Sequence, residues 1–142
     1  MTNNELPSLL SNLKGNAQRL NTESNAINSI IASVENDLIQ ANAGLSVFLE
    51  EAQDSAGRFY HAEPLEVHGE QTGVLGFTKI DSGWHLVVRY DKNLEPNYAA
   101  LAQASRETRI AALKQLPRLI ERMNRWIESA LKTIDEAKKL AN

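Results

Sequence analysis

The stretch VLGFTKIDSGWHLVVRY, residues 74–90, decides the fold. Two runs rich in β-branched, aromatic and aliphatic residues, 74–80 and 84–90, flank Asp81, Ser82 and Gly83. That pattern predicts a β-hairpin, with a three-residue loop and Gly83 in the left-handed position. Such a loop pairs Ile80 with Trp84. One face then carries Val74, Gly76, Thr78, Ile80, Trp84, Leu86, Val88 and Tyr90 and is the expected core side. The other carries Leu75, Phe77, Lys79, His85, Val87 and Arg89, apolar and cationic side chains mixed. A sheet with one solvated face alternates cleanly between apolar and polar residues. The mixed face therefore calls for a cover, whether a helix, a second subunit or a ligand. A lone hairpin is marginal in water, so a third strand is expected within 58–67, where Phe59, Leu65 and Val67 are the apolar candidates. Pro64 would keep that strand at an edge.

Upstream, residues 6–53 carry a heptad pattern. One seam is Leu6, Leu13, Leu20, Ile27, Val34, Ala41 and Phe48; the other is Leu10, Ala17, Ser24, Ile31, Leu38, Leu45 and Ala52. Only Ser24 is polar. A straight helix drifts by about 20° per heptad, so a strict three-four alternation of this length predicts a coiled-coil-like helix, roughly 70 Å long, that needs a long partner. Nine of the first 42 residues are Asn, a mediocre helix former, so packing along the seam must hold this helix together.

Downstream, residues 97–141 repeat the alternation through Leu113, Leu116, Ile120, Met123, Ile127, Ala130, Ile134, Ala137 and Ala141. Pro96 suits a first helical turn. Pro117 is expected to kink this helix or split it near Gln115. The fold class is thus α+β in a single domain over 1–142: a long N-terminal helix, a β head over 58–92 and a long C-terminal helix. The two helices are expected to pack antiparallel or across a dimer. Charge favours their pairing. Residues 1–57 hold two basic and seven acidic side chains, a balance of −5, and residues 97–142 hold nine basic and five acidic, a balance of +4.

The chain has 142 residues, no Cys and a net charge of −3. Disulfide staples, thiolate zinc sites and thiol nucleophiles are thereby excluded, and a general nucleic-acid role is disfavoured. No run approaches the roughly 18 apolar residues of a membrane span. The opening residues lack the basic-then-apolar order of a signal peptide, so a cytoplasmic location is expected. His61, His68 and His85 do not share a metal-ligand spacing. No nucleophile elbow or phosphate loop is present. Neither a catalytic residue, a metal nor a cofactor is expected.

The best candidates for binding are Phe77, Lys79, His85 and Arg89 on the mixed sheet face, joined by Tyr98, Arg106 and Arg109 at the start of the last helix. Together they would offer stacking and positive charge to a small, planar, nucleotide-like anion. Lys114, Arg118, Arg122 and Arg125 form a basic stripe that a solvated face or the acidic first helix would explain. Two functions are expected from these features. The first is a non-enzymatic homo-oligomeric interaction protein, an adaptor, regulator or inhibitor, that assembles by its coiled coil and contacts a protein partner with its β head. The second is a binder of a small anion.

Overall fold

Helix α1 (Glu5–Ala41) starts with an acidic side chain facing its positive end and carries Pro7 in its first turn, where the missing N–H is harmless. The computed structural model describes residues 5–41, 44–50, 52–53, 59–60 and 64–141. The helix expected over 6–53 stops at Ala41. Gly44 follows with φ +63°, a left-handed conformation suited to the end of a helix. Beyond it Leu45 lies outside any helix, and Val47–Phe48 form strand β1. The last heptad of the seam is therefore strand sequence that happens to keep the spacing.

Strands β4 (Leu65–Val67), β5 (Glu70–Ile80), β6 (Gly83–Lys92) and β7 (Glu95–Ala100) join β1 in one antiparallel sheet. Its order is β1-β5-β6-β7, with β4 also on β5. The short strands β2 (Ala52–Gln53) and β3 (Phe59–Tyr60) pair separately. The third strand expected within 58–67 is thus present as β4, directly after Pro64. The β region also extends past the expected 58–92, to Val47 on one side and Ala100 on the other.

The hairpin register differs from expectation by one residue. Ile80 pairs with Gly83 and Lys79 with Trp84, leaving a two-residue loop of Asp81 and Ser82, at φ +50° and +74°. Two positive φ values mark a primed turn whose twist matches the strands it joins. His68-Gly69 and Asn93-Leu94 make two further turns of the same kind. A slip of one residue moves every side chain of a strand to the other face. Leu75 and Phe77 consequently share the core face with Trp84, Leu86 and Val88, while His85, Val87 and Arg89 share the opposite face with Gly76 and Thr78. Burying the large residues of both strands together prevails over placing a glycine in the loop.

Helix α2 (Arg106–Ala141) is continuous through Pro117 rather than split there. It begins later than expected because residues 95–100 extend the sheet, and Pro96 lies in β7, an edge strand that tolerates it. Ser105 caps α2, its Oγ accepting the Thr108 N–H at 3.2 Å. The core lies between the sheet and the two helices. α2 crosses β4, β5 and β1, and α1 lies against β6. Ile31, Leu49, Leu65, Leu75, Leu86, Leu101 and Leu119 are its largest fully buried apolar side chains besides the valines.

Each helix contributes only part of its length to this core. On α1 the buried or half-buried positions run from Ser24 to Leu38; on α2 they end at Ile127. Residues 5–23 of α1 and 128–141 of α2 are exposed throughout. The two helices meet through Ser24 with Arg106 and Asn28 with Arg109, and this contact does not extend to the exposed outer part of either helix.

Candidate functional site

The seven residues singled out in the sequence fall into separate places. Phe77 is core, 4% exposed, and stacks on Trp84 with ring centroids 5.4 Å apart. Lys79 is exposed on the neighbouring part of that strand. The register puts both on the face opposite His85 and Arg89, so the expected four-residue patch is not assembled.

Arg89 and Tyr98 are brought together. They are cross-strand partners in β6 and β7, and both reach Phe48 of β1. The Arg89 guanidinium lies over the Phe48 ring at 4.6 Å, and the Tyr98 ring is 5.9 Å from it, centroid to centroid. Glu50 forms an ion pair with Arg89 from the side. Gly76 makes room for this group, because a Cβ there would collide with the Phe48 ring. Phe48 and Glu50 were missed in the sequence because they were read as part of the first helix. The stop signal at Gly44, followed by an aromatic and β-branched run, was the available clue.

His85 is at the exposed end of β6 beside Glu35 of α1, its Nδ1 3.3 Å from one carboxylate oxygen. The other oxygen accepts the Leu86 backbone N–H at 2.9 Å. β7 pairs with β6 only as far as Val87, opposite Ala100. Glu35 thus supplies the acceptor that a longer β7 would have given Leu86, and it ties α1 to the edge of β6.

Arg106 and Arg109 face α1 instead of the sheet patch. The Arg106 Nε donates to Ser24 Oγ at 3.3 Å, and Arg109 donates to the Asn28 side chain. Ser24, the single polar position in the seam, is therefore where α2 joins α1. In the basic stripe, Arg125 pairs with Glu121 one turn away, and Arg122 lies over the Trp126 ring at 5.5 Å.

A cleft of about 340 Å³ opens between the β4–β5 turn and the start of α2, lined in part by His68, Gln103, Ser105 and Thr108. Its hydroxyls are mutually satisfied: Thr108 donates to the Glu66 carbonyl at 2.9 Å and is 2.9 Å from Ser105 Oγ. This chain fastens α2 to β4 and engages both hydroxyls. Among the described residues no three His, Asp or Glu side chains converge as metal ligands, and no helix is long and apolar enough to cross a membrane. His61 and Glu63 lie outside the described residues.

The described residues also expose rows of large apolar side chains. Leu6, Leu9, Leu10, Leu13 and Leu20 are each about half exposed on the outer part of α1, and Trp126, Leu131, Ile134 and Leu140 are 43–90% exposed on the outer part of α2. Scattered apolar side chains are ordinary on a surface, whereas ordered rows on a helix face are less so. No family model matches this chain, and neither a curated protein nor a solved structure resembles it significantly.

Proposed function

We propose that this chain is a non-enzymatic cytoplasmic interaction protein, of the adaptor, regulator or inhibitor kind, that assembles with itself through the outer part of α1 and presents its β head to another protein. The leucine row at 6–20 carries this reading: a heptad seam half in water has no function in a lone chain. Phe48, Arg89 and Tyr98 support the second half of it, because aromatic residues and arginine dominate the centres of protein interfaces.

The test is Leu13→Asp. Leu13 is 62% exposed, so the substitution spares the fold while placing a charge in the seam. Sedimentation should show an oligomer for the native chain and a monomer with unchanged circular dichroism for the variant. An oligomer that survives the substitution removes the seam from its role. A small-anion site at Arg89 is the second reading, supported by the ring pair beside the guanidinium and weakened by Glu50, which already neutralises it. Thermal stabilisation by nucleotides that disappears in Arg89→Ala would favour it.

A further inference from the structure

We propose that two copies of this chain pair around a two-fold axis, each laying the outer part of its α1 antiparallel on the outer part of the other's α2. This rests on the self-assembly reading and names its geometry.

The free parts cannot meet within one chain. α1 enters the body at Ser24, beside Arg106 at the start of α2. From there its buried face continues past Ile31 to Glu35, at Leu86 near the hairpin end of β6. α2 starts beside β4, where Thr108 holds Glu66, and remains buried to Met123, about 25 Å further along. The free end of α1 therefore projects from one end of the body and the free end of α2 from the other. A second copy turned over by a two-fold axis brings unlike ends together at both places. Such pairing closes on itself, whereas parallel stacking would grow into an open chain.

The spacing fits one antiparallel register. Leu6 meets Ala141, Leu10 meets Ala137, Leu13 meets Ile134, Ala17 meets Ala130 and Leu20 meets Ile127. Every seam position on either side finds an apolar partner. The register also places side chains that the seam does not explain. Leu9 comes opposite Leu140, and the stem of Lys14 covers Leu131. Asn21 faces Asn124. Glu23 arrives beside Trp126 and Arg122, whose Nε is buried without a hydrogen-bond partner.

The competing pairings do less. α1 antiparallel to another α1, with its seam centred on Gly15, sets Lys14 against Lys14 and Leu9 against Glu23. Self-pairing of either helix leaves the other helix's apolar row in water. Reciprocal pairing covers nine large exposed side chains on each copy. Their burial removes on the order of 1,000–2,000 Å² from water in total, the size of a stable interface. The opposite charge balances of the two terminal segments act in the same direction.

The chain has no Cys, so engineered pairs report cleanly. Leu9→Cys/Leu140→Cys and Asn21→Cys/Asn124→Cys should each oxidise to a covalent dimer on a non-reducing gel. Leu9→Cys alone and the out-of-register pair Leu9→Cys/Leu131→Cys should not. Light scattering of the same samples should give twice the 15.8 kDa chain mass before oxidation. A dimer that cross-links through Leu9→Cys alone, or through neither matched pair, keeps self-assembly and overturns this geometry. A ladder of larger species overturns the closed two-fold, and a cross-linked single chain overturns the separation of the two ends. A monomer by light scattering overturns both the geometry and the assembly on which it rests.

Discussion

The two halves of α1 share one sequence pattern and have opposite surroundings. From Ser24 to Leu38 the heptad positions turn toward the sheet, and Ile31 is 1% exposed. From Leu6 to Leu20 the same alternation continues and every position is in water. The pattern specifies which face of a helix is apolar; it does not specify what covers that face. In the inner half the cover is β6 and the start of α2. In the outer half the described residues of the chain supply no cover, and a helix rich in Asn and interrupted by Gly15 gains little from propensity alone; the proposed second copy would supply it.

The contrast is broken most severely in the inner half. Ile31→Ala should destabilise the body by about 2–5 kcal/mol, since it opens a cavity beneath the sheet. Leu13→Ala, at the same kind of heptad position, should change the stability of the dilute monomer by less than about 0.5 kcal/mol. Chemical denaturation at low concentration measures both, and equal losses would abolish the distinction. An aspartate at Ile31 would unfold the chain, so only outer positions separate folding from assembly.

Smaller effects sharpen the picture of the body. Gly76→Ala should cost about 1–3 kcal/mol by driving the Phe48 ring off the sheet. An unchanged melting temperature would show that the ring can move freely. Glu35→Ala should cost about 1–3 kcal/mol, because the Leu86 N–H loses its acceptor at the open edge of β6. Glu35→Gln keeps an acceptor oxygen and should lose less; identical losses would assign the effect to something other than this bond. At the far turn, Leu94 is fully exposed and held at φ +65°. Leu94→Gly should stabilise the chain by about 0.5–1 kcal/mol by relieving that conformation, and destabilisation would show that the leucine makes a contact worth its strain.

Much of the architecture was legible from residue order. The two helical periods, the hairpin and its position between them all follow from spacing, and the α+β class with them. The boundaries were not, for identifiable reasons. Leu45, Phe48 and Ala52 continue the heptad spacing by coincidence, and only Gly44 signals that the helix has ended. Pro96 is compatible with a helix start and with an edge strand, and the choice depends on whether β6 needs a partner. The hairpin register turned on Asp81 and Ser82 accepting positive φ, a local preference that the burial of Leu75, Phe77, Leu86 and Val88 then decides.

The candidate site was less legible than the fold, because it depended on that register. One residue of slip moved Phe77 and Lys79 away from His85 and Arg89 and left Arg89 with Tyr98. Phe48 and Glu50 come from a segment assigned to the wrong element. Arg106 and Arg109 were expected to join the binding patch from the start of the last helix. They hydrogen-bond to Ser24 and Asn28 of α1 instead.

Hydrogen–deuterium exchange followed by peptide at two protein concentrations tests the difference between the halves most directly. The expected result is that residues 5–23 and 128–141 lose protection together on dilution, while peptides containing Leu86–Val88 exchange equally slowly at both concentrations. Protection of the outer helices that is independent of concentration would contradict the need for a second copy, as would a body that loosens in step with them.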